Sequence, residues 1–179
     1  MWWNKGKRRP AFLALAVSVC LLLSACGTGL TTEEQAAFEQ LLPGEDLTDV
    51  TRDLLSQNAA WQEKFKAVEK IYQTEAGDWA VISRPIGYNG PITLAVTVDH
   101  EQNATSGLLI VENNETRHYV RGMEENWFTS RFVGKAAGRP LRVVKLEAFD
   151  PAEIVAITGA TVSTQAVVNG VNAVLGLYG

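Results

Sequence analysis

The sequence predicts a single α+β domain, a mostly antiparallel sheet with helices packed on it, and three observations carry that expectation. Between residues 68 and 112 apolar and polar residues alternate in short runs separated by turn residues, which is the period of strands. The segments on either side of that region repeat their apolar residues at helical spacing. Setting aside residues 1–25 of the 179 as a leader leaves 154, enough for one hydrophobic core and too few for two.

The leader comes first. Lys5, Lys7, Arg8 and Arg9 form a positive start, Ala11 to Leu23 is an uncharged apolar run, and Leu23-Ser24-Ala25-Cys26 closes it with small residues before a cysteine. This is the pattern of a bacterial lipoprotein signal peptide, cleaved to leave Cys26 as a lipidated N-terminus. Two or more acyl chains hold a soluble domain stably on a membrane, because each buried methylene contributes about 0.8 kcal/mol. The other reading, an uncleaved membrane anchor, needs about 20 apolar residues, more than this run supplies. The expected location is therefore extracytoplasmic, lipid-anchored to the bacterial cell membrane.

Cysteine usage and charge narrow the chemistry. Cys20 falls in the leader and Cys26 is the lipidation site, so no thiol remains for a disulfide, a metal cluster or nucleophilic catalysis. Removing the four cations of the leader takes the formal charge from −4 to −8, with 12 basic against 20 acidic residues, a balance that argues against nucleic acid as a partner. His100 and His118 stand in no metal-ligand spacing and read as surface or loop residues.

After a tether at residues 26–31, Thr32 and Gln35 form a capping box opening a helix over Glu33 to Leu42, which Pro43-Gly44 stops. Arg52 to Ala67 is a second helix through Leu54, Leu55, Trp61 and Phe65, so residues 32–66 make an N-terminal helical region. Strands follow at Val68–Thr74, Trp79–Ile86, Ile92–Asp99 and Ser106–Glu112, with short connections that favour antiparallel pairing. On the third of these, Ile92, Leu94, Val96 and Val98 form an apolar face, and Thr93, Thr97 and Asp99 the other. Arg121 to Phe132 reads as a helix, Leu141 to Ala148 as a strand, and a last helix runs from Thr161 to Leu175. The helices are expected on one side of the sheet.

The run that points most directly to chemistry is Ile157-Thr158-Gly159-Ala160-Thr161-Val162-Ser163-Thr164. Gly159 permits backbone angles closed to other residues and Ala160 adds only a methyl, so a bulky anion has access to Thr161. A helix starting there offers unpaired amides and the positive end of its dipole, which suits a phosphate. Taken alone, Gly-Ala-Thr reads as an ordinary cap after a tight turn, because cap residues of this kind are common.

The surrounding chain adds to this. Thr158 to Thr164 with the Val/Asn-rich segment behind it, Gly87-Tyr88-Asn89-Gly90-Pro91-Ile92, Glu115-Thr116, and Trp127 with Phe132 and Gly134 together resemble the FMN-binding domain family, found in the G subunit of the Rnf electron-transport complex and the C subunit of the sodium-translocating NADH:quinone reductase. The resemblance runs from about residue 67 to 176 and makes 67–179 the FMN-binding domain. It implies covalent FMN in phosphoester linkage to Thr161, installed by a flavin transferase with FAD as donor. It also implies cofactor contacts at Thr158, Gly159, Ala160, Ser163, Thr164, Glu115 and Thr116, no catalytic or metal residues of the chain's own, and membrane redox proteins as partners.

Three features depart from the family pattern, the least of them Ser163-Thr164 in place of Thr-Ser, which keeps both hydroxyls. Val155 stands where members carry an acidic residue, and Arg117-His118-Tyr119-Val120 replaces a Pro-Gly-Leu-Gly bend, so the pocket is expected to be built differently there. Tyr88, Trp79, Trp127 and Tyr119 are candidates to flank the flavin ring or, alternatively, core and rim aromatics. The leading functional expectation is an electron carrier on the outer side of the membrane. The second is a non-redox binding lipoprotein that keeps the fold without covalent flavin.

Overall fold

The computed structural model describes residues 29–56 and 59–179, so the leader and Cys26 lie outside the described residues. The first helix, α1, spans Thr32–Leu41, with Thr31 as its cap: the Thr31 hydroxyl accepts from Glu34 N at 3.2 Å, and the Glu34 carboxylate accepts from Thr31 N at 2.8 Å. This capping box sits one residue before the expected Thr32–Gln35 pair. A carboxylate is the stronger acceptor, and Lys70 Nζ, 2.5 Å from Glu34, fixes it in place.

Five strands form an antiparallel meander in the order β1 (Thr48–Asp49), β2 (Val68–Gln73), β3 (Trp79–Ser83), β4 (Ile92–Asp99) and β5 (Ala104–Asn113). Between β1 and β2 the expected single helix is two short ones, α2 (Thr51–Leu55) and α3 (Ala59–Lys64). The Thr51 hydroxyl ties α2 to β2 by accepting from Ile71 N at 2.8 Å and donating to Ile71 O at 3.2 Å.

Helices cover both faces of the sheet, not one. Ile92, Leu94, Val96 and Val98 point into the larger core with Val167, Val171 and Val174 of the last helix, α6 (Thr161–Tyr178). On the other face α1 lays Ala37 and Phe38 over Tyr72, Ala80, Ile82 and Ala95. Thr93 and Thr97 are consequently buried, and their hydroxyls are satisfied there by Arg84 Nε at 3.0 Å and Ser106 Oγ at 2.8 Å. Alternation in β4 therefore separated an aliphatic face from a hydroxyl-bearing face, both inside.

Beyond β5 an unanticipated four-residue helix, α4 (Arg117–Val120), precedes the expected helix at 121–132, which itself shortens to α5 (Asn126–Thr129) running into a 3-10 turn at Ser130–Phe132. In the turn between them the Trp127 indole packs on Gly122, where a Cβ would lie 2.5 Å from Trp127 Cζ2. The expected strand at 141–148 shortens to β6 (Arg142–Val144), paired in parallel with an unanticipated β7 (Glu153–Val155). The intervening loop folds back on the Glu153 carboxylate, which accepts from Phe149 N at 2.7 Å and Asp150 N at 3.1 Å.

The 18 residues of α6 span about 27 Å at 1.5 Å per residue. Its midpoint is seated by Gly170, where a Cβ would stand 2.6 Å from Leu94 Cδ1 and 2.8 Å from Pro85 Cγ. Its far end is held by Tyr178 edge-on to Trp79, with ring centroids 4.9 Å apart. No helix among the described residues is long and apolar enough to cross a membrane.

Candidate functional site

The start of α6 is shaped by a turn that leaves its amides unused. Ala160 N donates to Ile157 O at 2.9 Å, and Gly159 takes φ +80°, a left-handed angle costly to any residue with a side chain. The fully buried Thr164 braces this elbow: its hydroxyl donates to Ala160 O at 2.9 Å and accepts from Ile157 N at 3.2 Å. Ala160, the residue that caps α6, has no side-chain acceptor to offer, so the first-turn amides of Thr161, Val162 and Ser163 stay without a side-chain cap. Thr161 itself is exposed, with its hydroxyl at that positive helix end.

Opposite the elbow stands the β5–α4 connection. Glu115 is 8% exposed; one carboxylate oxygen accepts from Asn89 N at 2.8 Å and the other from the Ser163 hydroxyl. Asn89 also donates through Nδ2 to the Thr116 hydroxyl at 3.0 Å. Gly87 makes this approach possible, because a Cβ there would fall 2.5 Å from Glu115 Oε1. Glu115 thus joins three segments distant in sequence: the 87–91 turn, the end of β5 and the first turn of α6.

Between these walls lies a cavity of about 410 Å³, lined by Tyr88, Glu115, Thr116 and the run Gly159 to Ser163. That volume is in the range of small-molecule and cofactor sites. Six residues expected at the site therefore come together: Glu115, Thr116, Gly159, Ala160, Thr161 and Ser163. Thr158 is exposed outside the lining and Thr164 is committed to the elbow, while Cys26 lies outside the described residues.

Of the aromatic candidates, Tyr88 lines the cavity and is 74% exposed at its rim. Trp79 sits at the Tyr178 end of α6, remote from Thr161, and Trp127 is half-exposed beneath the Arg131 guanidinium at 4.8 Å. Nothing is described of the Tyr119 side chain. Both histidines are exposed, and His100 Nδ1 lies 3.3 Å from the Tyr178 hydroxyl. Val162 lines the cavity without having been anticipated; its place as second residue of the helix was the available signal. Val155 ends β7, and its carbonyl accepts from Arg131 Nη1 at 3.0 Å.

Comparison with known proteins gives the class of this domain: residues 87–176 match the FMN-binding domain family. The chain belongs to that family. It is 32% identical over 150 residues to the G subunit of the Na(+)-translocating ferredoxin:NAD(+) oxidoreductase complex of Acetobacterium woodii, a match covering 80% of this chain and 69% of that protein. Among solved structures, the C subunit of the Na(+)-translocating NADH-quinone reductase of Parabacteroides distasonis is similar at TM-score 0.53 and 15% identity, over 83% of this chain and 84% of that one. NqrC of Shewanella oneidensis is similar at TM-score 0.49 and 18% identity, over 62% of this chain and 56% of that chain's length. The likeness to the Parabacteroides protein is one of fold.

The residues present fit FMN. An exposed threonine hydroxyl, three uncapped amides and a cavity of about 410 Å³ suit the phosphate end of a flavin nucleotide, and the small residues Gly159 and Ala160 leave the approach open.

Proposed function

We propose that this chain is an extracytoplasmic electron carrier holding FMN in phosphoester linkage to Thr161, anchored by lipid on Cys26 and working with membrane redox proteins. The observation that carries the reading is the Thr161 hydroxyl, exposed at an uncapped helix start on the wall of the cavity. Flavinylation by a flavin transferase then needs one displacement. Thr161 Oγ bonds to the flavin-side phosphorus of FAD, the phosphoanhydride bond breaks, AMP leaves with the bridging oxygen, and the hydroxyl proton goes to solvent. The new phosphodiester keeps one negative charge, which the helix dipole and the amides of Val162 and Ser163 favour.

FMN supplies the one- and two-electron chemistry once bound. The protein's part is to hold and shield it. Glu115 fixes the wall facing Thr161 through Asn89 and Ser163, and Tyr88 stands at the rim, where a ring packs well against an aromatic face. A covalent tether keeps the cofactor from being lost by dilution outside the cytoplasm.

A second reading, a ligand-binding lipoprotein without covalent flavin, draws on Val155, which offers no carboxylate at the position where family members carry one. Denaturing gel electrophoresis of protein made with a flavin transferase separates the two. Fluorescence that stays with the unfolded band supports the carrier, and a dark band supports the second reading.

A further inference from the structure

The turn that carries Tyr88 holds a chemistry of its own. The sequence contains two Asn-Gly pairs, Asn89-Gly90 and Asn169-Gly170, and in such a pair the glycine amide can close a succinimide ring on the asparagine side chain because no Cβ obstructs it. The fold treats the two oppositely. Gly170 lies inside α6, where its amide is committed to the helix ladder and a Cβ would already stand 2.6 Å from Leu94 Cδ1. Asn169 is tied as well, accepting from Gln165 Nε2 at 2.9 Å. That pair has neither a free nitrogen nor room to bend.

At Asn89-Gly90 both conditions are met. Gly90 takes φ +147° with nothing within 4 Å of where its Cβ would be, and no hydrogen bond among the described residues engages its N–H. Only its carbonyl closes the turn, accepting from Gly87 N at 2.7 Å. Asn89 is exposed, and its side chain is held without being hidden: Nδ2 donates to the Thr116 hydroxyl at 3.0 Å, while Glu115 fixes the main chain through Asn89 N at 2.8 Å. Thr116 is itself exposed, so water reaches the amide.

We infer that Asn89 is a site of spontaneous modification, converting through a succinimide to aspartate and isoaspartate on the wall of the flavin cavity, whereas Asn169 is preserved by α6. Gly90 N bonds to Asn89 Cγ, the Cγ–Nδ2 bond breaks, and the Gly90 amide proton ends on the departing nitrogen, which leaves as ammonia. The Thr116 hydroxyl, already bonded to Nδ2, offers the path for that proton. Water then opens the ring at either carbonyl. Both products put a carboxylate, in place of a donor, next to Glu115, and isoaspartate also lengthens the main chain by a methylene. The bond from residue 89 to Glu115, whose other oxygen holds Ser163, is thereby weakened. The conversion needs no flavin; only its effect on the cofactor rests on the flavin reading.

The flavin-free soluble domain is aged at mildly alkaline pH, folded in buffer and unfolded in guanidinium, and peptide mass spectrometry follows the exchange of NH for O at Asn89 and Asn169. Isoaspartyl methyltransferase labels the isoaspartate. In the folded sample Asn89 should convert within about tenfold of its unfolded rate and Asn169 at least about 100-fold below its own, since a surface turn opens readily and a core helix rarely. In guanidinium the two should convert alike, which removes the sequence as the cause of the difference. The converted form carries one more negative charge and is isolated by ion exchange; its Glu115 and Ser163 amide NMR signals should be moved, and Asn89→Asp should reproduce part of that change. Asn89→Gln should give no product at this position. Asn89 left intact in the fold while the unfolded chain converts, or Asn169 converting as fast as Asn89 in the fold, overturns the inference. Unmoved Glu115 and Ser163 signals in the converted form overturn its effect on the cavity wall. In flavin-loaded protein the visible spectrum should shift on conversion; a fixed spectrum beside moved Glu115 and Ser163 signals counts against the flavin reading and leaves the modification standing.

Discussion

Replacing Glu115 by Ala takes away two hydrogen bonds at once, from Asn89 N and from the Ser163 hydroxyl. Each bond to a charged acceptor contributes about 1.5–3 kcal/mol. Asn89 is exposed, so its amide turns to water and recovers most of its share, whereas Ser163 is 3% exposed and its hydroxyl is left in the interior. The net cost should be about 2–4 kcal/mol, a large part of a typical stability of roughly 5–15. Glu115→Gln keeps the shape and both partners: its carbonyl accepts from Asn89 N and its amide donates to Ser163. It should cost about 1 kcal/mol or less. Urea unfolding of the soluble domain followed by circular dichroism measures both, with the slope unchanged. In flavin-loaded protein Glu115→Ala should also shift the visible spectrum without releasing the flavin. The reasoning is refuted if Ala unfolds within about 0.5 kcal/mol of wild type, or if Gln proves as damaging as Ala.

Gly170→Ala should destabilise by about 1–3 kcal/mol, measured in the same unfolding assay, because its methyl would meet Leu94 and Pro85 at the centre of α6. Asp150 and Glu153 both titrate below the usual carboxylate range, chiefly because each accepts backbone hydrogen bonds, from Ala152 and from Phe149 respectively. A lowered folded pKa gives stability that is present above the unfolded pKa and lost as pH falls through the folded one, so NMR shifts of the Phe149 and Ala152 amides should move below about pH 4 and hold still above about pH 6. Cys26→Ala should accumulate as unprocessed precursor without labelled fatty acid; normal processing and labelling of that variant would refute the anchor.

The four main strands and α6 were legible because alternation and helical spacing recur over five or more residues, where period is a strong signal. The three-residue strands β6 and β7 are too short to show a period, and their pairing depends on Glu153 gathering the loop amides. Covering of both sheet faces was hidden for another reason: Thr93 and Thr97 look like solvent-facing residues until Arg84 and Ser106 are seen to satisfy their hydroxyls under α1. At the site, the elbow at Gly159 and the hydroxyl of Thr161 could be read from residue size and type. The joining of Glu115 to Ser163 could not, since it spans 48 positions and depends on Gly87 leaving room.

The most direct test is the intact mass of the soluble domain made with a flavin transferase and FAD. Wild type should gain one FMN less water, and Thr161→Ala and Thr161→Val should gain nothing. Those two variants should stay folded, since Thr161 is exposed and surface substitutions usually cost within about 0.5 kcal/mol. Thr158→Ala, Ser163→Ala and Thr164→Ala should keep at least part of the added mass, and Val155→Asp should raise its extent if wild type is incompletely modified. No added mass in either wild type or Val155→Asp would contradict the covalent flavoprotein, and full modification of Thr161→Ala would contradict the assignment of the acceptor.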